Sequence, residues 1–261
     1  FFKTTYKKYS NFGIQKFRLD YDGLKELNLN TDSFFQFKVN RHAELLMDTY
    51  MVINMPDIWS PIIPPKDNSD EHKDTWVPYE FRWIKNLGTR MIREITLTAG
   101  GTMLQRFTGE YLTAMVDRDF TEDKKKLYNK MTGNTVDMYS PDKWDKREGS
   151  YPNAIYSDKT EGAEPSIRGK QLIIPLNFWF TLNSKQAFPL ISMQYNELYI
   201  NLTLRPIKDL FTIRDVTDKD NVYPIVAPNF TTPEHGFYRF IQTPTEPIQE
   251  DDGVGNKKYK L

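Results

Sequence analysis

The stretch Leu198-Tyr199-Ile200-Asn201-Leu202-Thr203-Leu204-Arg205 alternates an aliphatic set, Leu198, Ile200, Leu202 and Leu204, with Tyr199, Asn201, Thr203 and Arg205. Side chains of an extended strand point alternately to opposite faces, so a period of two puts the aliphatic chains on one side of a sheet. This is the pattern of an antiparallel strand packed on a core from one side only. The same period recurs outward from this stretch. Phe35, Phe37 and Val39 alternate with Gln36, Lys38 and Asn40, and Met51, Ile53 and Met55 with Val52 and Asn54. Phe81 and Trp83 flank Arg82, while Ile95, Leu97 and Ala99 alternate with Thr96 and Thr98 up to Gly100-Gly101. Met103, Leu104 and Phe107 come after the paired glycines, which predicts a hairpin turn and a second strand. Near the start, Phe12, Ile14, Phe17, Leu19 and Tyr21 predict a strand with an irregularity at Gln15-Lys16. The apolar and aromatic run from Gln171 to Leu182 predicts another strand, with Pro175 at its start or edge.

Turn and loop clusters punctuate these runs: Asp22-Gly23, Ser60-Pro61, Pro64-Pro65, Asp67-Asn68-Ser69 and Gly133-Asn134. Short strands separated in this way read as a sandwich or barrel. Two stretches depart from the pattern. Tyr111, Leu112, Met115 and Val116, then Leu127, Tyr128 and Met131 after a charged run, have helical spacing and predict short helices inserted between strands. The segment from Thr132 to Gly169 is polar, with Trp144, Tyr151 and Tyr156, and is long for a structureless connection. It is expected on a surface or between subunits. After Phe211, a charged stretch and Pro224, Pro228, Pro233, Pro244 and Pro247 read as an extended linker. Phe237-Tyr238-Arg239-Phe240-Ile241 within it reads as the first strand of a further domain.

Composition narrows the function classes. The 261 residues are 39% hydrophobic and 14% aromatic, a profile of a globular chain leaning toward β-structure. Lys+Arg and Asp+Glu are both 35, so the basic excess that grips nucleic acid is missing, and direct nucleic-acid binding is not expected. A neutral subunit repels its own copies little, which suits packing against them. The absence of cysteine excludes disulfide scaffolds, thiolate catalysis and Cys-based zinc sites, and fits assembly in a reducing compartment. No run of about 18 apolar residues is present, so no membrane span is expected. The first residue is Phe1 rather than Met, with no signal segment before the fold, so a processed or trimmed product is expected.

Candidate chemistry is sparse. His42, His72 and His235 are far apart and show no HxH, HxxxH or HExxH spacing, so no metal set is assigned. No GxSxG elbow accompanies them. Glu110, Asp117 and Asp119, and Glu250, Asp251 and Asp252, are read as a solvated helix face and a linker charge cluster rather than as paired catalytic acids. Asn201-Leu202-Thr203 and Asn229-Phe230-Thr231 match the glycosylation acceptor pattern, the first inside a strand and the second in a linker. The aromatics sit within strand-like alternations, where core packing accounts for them. No residue is assigned as catalytic, cofactor-binding or metal-ligating, no cofactor is expected, and the chain is read as not an enzyme.

Several runs, in a shared order over most of the chain, resemble the major capsid proteins of the nucleocytoplasmic large DNA viruses. Phe1-Phe2-Lys3-Thr4-Thr5-Tyr6-Lys7-Lys8-Tyr9-Ser10-Asn11-Phe12 is similar to that family's amino-terminal arm. Trp83-Ile84-Lys85-Asn86-Leu87-Gly88, with Ile95, Leu97 and Gly100-Gly101, resembles its central strand-turn signature. Leu172-Ile173-Ile174-Pro175-Leu176-Asn177-Phe178-Trp179-Phe180 and Pro189-Leu190-Ile191-Ser192-Met193-Gln194-Tyr195 resemble its most recognisable block. Pro228, Asn229 and the Pro-rich stretch beyond resemble the connector between its two domains.

The resemblance implies a double jelly roll, with three chains per capsomer forming a pseudo-hexagonal brick. This sequence stops at Leu261, where the second sandwich should begin, so one sandwich and the start of a connector are expected. Alternation and resemblance together lead to an all-β fold, an eight-stranded antiparallel jelly-roll β-sandwich with short helical insertions. The expected division is an arm at 1–11, the first jelly roll at 12–213, and at 214–261 a connector with the possible start of a second jelly roll. The arm is expected either to dock on a neighbour or to pack on its own domain. The implied function is a structural protein of an icosahedral shell. Its partners would be a homotrimer, neighbouring capsomers and minor capsid proteins; its place would be the outer shell of the virion, after assembly in the host cytoplasm. A minor or penton-type single jelly roll, or a carbohydrate-binding sandwich, would answer to the same alternation.

Overall fold

A computed structural model describes residues 13–60, 62–63, 77–146, 149–158, 162–218, 220–243, 248–251 and 257–260. In chain order the strands are β1 (Ser33–Val39), β2 (Leu45–Leu46), β3 (Tyr50–Asn54), β4 (Ile62–Ile63), β5 (Val77–Pro78), β6 (Phe81–Trp83), β7 (Ile92–Ala99) and β8 (Thr102–Phe107). They continue with β9 (Ile155–Asp158), β10 (Gly162–Glu164), β11 (Gln171–Pro175), β12 (Phe188–Pro189), β13 (Leu198–Leu204), β14 (Phe211–Arg214), β15 (Ile225–Val226), β16 (Ile248–Asp251) and β17 (Lys257–Lys260). Four helices intervene among the described residues: α1 (Leu87–Arg90), α2 (Gly109–Asp119), α3 (Glu122–Thr132) and α4 (Val136–Tyr139).

The deciding stretch becomes β13, the centre of a four-stranded antiparallel sheet ordered β1-β13-β7-β8. Its burial alternates without a break, with Leu198, Ile200, Leu202 and Leu204 all 5% exposed or less. Phe35, Leu202, Ile95 and Phe107 lie in one register across the sheet, and Phe37, Ile200 and Leu97 in the next. Gly100 (φ 56°) and Gly101 (φ 83°) link β7 to β8; positive φ at both central residues is what a tight hairpin turn requires. The inner face shares one apolar core with Met51 of β3, Leu172 and Ile174 of β11, and Phe81, Trp83, Phe211 and Ile213 of the β15-β14-β6 sheet. Burying one such aliphatic side chain contributes about 2 kcal/mol, so the core, not the ladder, holds the layers together.

Helices α2 and α3 form where helical spacing predicts them. Thr108 caps α2, its hydroxyl accepting from the Tyr111 N–H, and Leu112, Met115 and Val116 are buried. Glu122 and Asp123 occupy the first turn of α3, and Gly133 closes it in the left-handed conformation.

Four sequence readings are corrected. Residues 13–32 contain no strand: Tyr21 meets Phe35 edge-on at 5.1 Å and Phe17 stacks on His42 at 4.7 Å, so these aromatics pack by ring contact rather than by a hydrogen-bonded ladder. The run from Gln171 does not stay a strand to Leu182: it ends at Pro175, which pairs with Tyr50 at the last position of an edge strand, the edge placement expected of that proline. Beyond it, Phe178 and Phe180 stack at 5.2 Å in irregular and 3-10 backbone. Residues 132–169 are not structureless, holding α4, a 3-10 segment at Pro141–Lys146, and the β9-β10 hairpin. Finally, Phe237–Phe240 forms a 3-10 turn, not a strand. Phe240 is fully buried against Tyr79 (4.8 Å) and Phe81 (5.1 Å), so the Pro-rich stretch packs back on the core at least to that residue. Proline spacing reports a lack of donors, and cannot tell an extended linker from a strap held down by aromatic burial. Residues 1–12, the prolines at 61, 64 and 65, and the cluster at 67–69 lie outside the described residues.

Candidate assembly surfaces

The outward face of the four-stranded sheet is largely polar and internally hydrogen-bonded, with Phe34 and Met103 as its exposed apolar side chains. Gln36 Nε2 donates to Asn201 Oδ1 (2.9 Å), and Asn201 Nδ2 donates to Thr96 Oγ1 (3.2 Å), a ladder running across three strands. Arg106 pairs with Glu94, and Glu197 accepts from both Lys38 and the Tyr199 hydroxyl. Those hydrogen bonds, Lys38 first, hold the Glu197 carboxyl below its ordinary range. Donors and acceptors that already pair with each other leave little drive to bind anything but water.

The β11-β3 ribbon has the opposite character. Its outward pairs are Tyr50 with Pro175 and Val52 with Ile173, and only Asn54 with Gln171 is polar. Tyr50 is 45% and Val52 53% exposed, where an outer sheet face is ordinarily polar. At the Tyr50 end the ribbon meets α3, whose Lys124, Leu127, Tyr128 and Met131 fall on one helical stripe. Between them lies an open groove of about 300 Å³. Leu127 projects from its wall, 64% exposed.

Two donors in the groove lining have no acceptor. The Tyr128 hydroxyl, on a side chain only 6% exposed, and Asn177 Nδ2 are both shielded from solvent without a hydrogen-bond partner. Burial pushes the Tyr128 hydroxyl well above its usual pKa, so it stays a neutral donor. Lys124 Nζ lies 4.0 Å from the centre of the Phe120 ring, with no carboxylate partner among the described residues. Asp48 also lines the groove and is exposed.

Buried polar braces fix the insertion from 132 to 169 to the body. The Tyr151 hydroxyl donates to the Phe81 carbonyl (2.8 Å), accepts from the Phe81 N–H (3.1 Å), and lies 3.0 Å from Ser60 Oγ. Burial pushes its pKa up to about 12, against the pull of those hydrogen bonds. Glu80, its side chain 6% exposed, takes Arg82 on one oxygen (2.8 Å) and Arg214 on the other (2.7 Å). Arg82 reaches on to Asp142 at 3.4 Å. A strand, a neighbouring strand and the insertion are thereby tied through one buried charge network.

The residues considered for chemistry do not converge. His42 stacks on Phe17, whereas His235 is buried, its Nδ1 accepting from the Asn229 N–H (3.1 Å) with Nε2 3.5 Å from Asp215. His72 lies outside the described residues, among which no group of His, Asp and Glu could hold a metal. Glu110 pairs with Arg205 and Asp119 with Arg118, as expected of a solvated face. Asn201 is held in the sheet ladder, and Asn229 Oδ1 accepts from the Thr231 N–H and hydroxyl. Neither the groove nor the Glu80 network is foreseen by the sequence reading. Tyr128 at helical spacing is visible there, but its missing acceptor is a property of three-dimensional surroundings.

Comparison with known proteins points the same way. The sequence model of the family described as "Major capsid protein N-terminus" matches residues 1–233. The chain belongs to that family, the amino-terminal part of the major capsid proteins of large DNA viruses. It is 24% identical over 228 residues to the "Major capsid protein" of Chrysochromulina ericina virus, covering 80% of this chain and 38% of that protein. "Capsid protein 1" of Acanthamoeba polyphaga mimivirus is 24% identical over 217 residues, with 82% and 32% covered. The "Major capsid protein" of Frog virus 3 is 26% identical over 193 residues, with 74% and 36% covered. The chain thus spans about a third of the length of these relatives. Among solved structures, the "PBCV-1 virus capsid, quasi-atomic model" superposes with a TM-score of 0.51 at 17% identity, covering 78% of this chain and 37% of that one. At that identity the likeness speaks for the fold alone. No helix among the described residues is long and apolar enough to cross a membrane.

Proposed function

We propose that this chain is the amino-terminal jelly roll of a structural protein that tiles the icosahedral shell of a large DNA virus, acting without catalysis. The observation that carries the reading is the family match over residues 1–233, on a chain whose antiparallel sheets close over one apolar core. A shell tile must keep its shape while its surfaces meet several neighbours, and a sandwich buried from both sides supplies that stiffness. The eight-stranded count, the homotrimeric capsomer, contacts with neighbouring capsomers and minor capsid proteins, and a place in the outer shell after assembly in the host cytoplasm all belong to this reading. So does the division into an arm at 1–11, a jelly roll at 12–213 and a connector at 214–261, whose first part, as far as Phe240, is docked on the jelly roll. Electron microscopy of the purified full-length protein tests it. Trimeric bricks of pseudo-hexagonal outline are the expected particles; isolated monomers at assembly concentrations would count against it.

A further inference from the structure

We propose that the groove between α3 and the β11-β3 ribbon is a socket for a second copy of this chain, and that it receives the tip of the β14–β15 hairpin, Asp220 to Val222. The inference rests on the shell reading and deepens it by naming one contact.

The groove specifies its occupant. Its lining mixes polar residues, Asp48 and Thr49 among them, with exposed apolar surface at Tyr50 and Leu127, about half exposed or more, which an apolar side chain would cover. Lys124 adds a cation without a carboxylate partner among the described residues at the rim. An occupant with a protruding aliphatic side chain and a carboxylate beside it meets both demands.

The hairpin tip has that chemistry. Val222 is 78% exposed, and Asp220, also exposed, has no hydrogen-bond or ion-pair partner among the described residues. The tip is held from behind: the Tyr223 N–H donates to the Asp218 carbonyl (2.9 Å), and Arg214 Nη1 donates to the Tyr223 carbonyl (3.0 Å). A knob braced in this way loses little freedom on docking. A valine side chain fits a groove of about 300 Å³ with room for backbone.

Knob and socket are different surfaces, so copies that join them head to tail build rings or lattices. Tyr50, Val52 and Leu127 leave on the order of 300 Å² of apolar surface open, well below the roughly 800 Å² per partner of a standard interface. One such contact is weak alone and counts when repeated across many subunits.

Charge exchange in the full-length protein tests the pairing, with self-association measured by sedimentation velocity. Lys124→Asp, Asp220→Lys and Val222→Asp, all at exposed positions, are each expected to weaken association by about tenfold or more. The double variant Lys124→Asp/Asp220→Lys is expected to recover to within about threefold of the parent, because the ion pair is restored in reverse. Circular dichroism confirms that each variant folds. Association that survives all three single changes would overturn the socket while leaving the shell role standing. So would a double variant no better than the worse single one, which would assign the groove to a different occupant. A parent chain that stays monomeric at every concentration, and forms no bricks by microscopy, would remove the shell reading itself.

Discussion

Replacing Leu202 and Asn201 separately tests the two faces of one strand. Leu202 is 4% exposed and stands between Phe35 of β1 and Ile95 of β7. Leu202→Ala removes three carbons; at about 0.8 kcal/mol per buried methylene the transfer loss is about 2.4 kcal/mol. The cavity left in a core enclosed on both sides raises the total to about 3 to 4 kcal/mol. Asn201 points the other way, bonded to Gln36 and Thr96. Asn201→Ala loses only partly wetted hydrogen bonds, worth about 1 kcal/mol together with their strand context. Urea unfolding monitored by tryptophan fluorescence reads both, with unchanged m-values expected because neither change alters the surface exposed on unfolding. Against a total stability of about 5 to 15 kcal/mol, Leu202→Ala still folds. Leu202→Asp adds the cost of an unpaired buried carboxylate, several kcal/mol more, and is expected to abolish soluble folding. An Asn201→Ala variant as costly as Leu202→Ala, or a soluble and normally cooperative Leu202→Asp, would refute the assignment of the faces.

The braces and turns lead to four further outcomes. Tyr151→Phe leaves the Phe81 N–H and carbonyl and Ser60 without their shared partner, and is expected to cost about 2 to 4 kcal/mol, with faster hydrogen exchange around residues 150–156. Glu80→Ala leaves Arg82 and Arg214 without their main acid; a loss of about 3 to 5 kcal/mol in urea unfolding is expected, whereas an unchanged midpoint would mean that the network is not held in solution. Gly109→Ala would place a Cβ 1.9 Å from the Thr89 carbonyl oxygen, and a loss above about 3 kcal/mol is expected. Gly101→Ala meets no neighbour within 4 Å and pays only for its positive φ, about 1 kcal/mol by thermal melting.

The sequence by itself determined the local elements. Alternation over Leu198–Leu204 and Ile92–Ala99 is a consequence of side chains pointing to opposite faces, so it is legible one residue at a time. The helical stripe of α2 and the paired glycines of the β7–β8 turn are legible for the same reason, being set by residues within a few positions of one another. Only the tertiary structure decided which strands became neighbours, since β1 and β13 lie far apart in the chain and pair through a register that no local signal carries. It also decided the fate of the aromatics at 13–21, 176–182 and 237–240, which ring contacts and, for Phe178, Phe180 and Phe240, full burial hold in irregular or 3-10 backbone. It alone showed the Glu80 network and the unmatched donors beside α3, because desolvation and missing partners depend on what surrounds an atom. Periodicity reports the direction of a side chain; packing reports what meets it there.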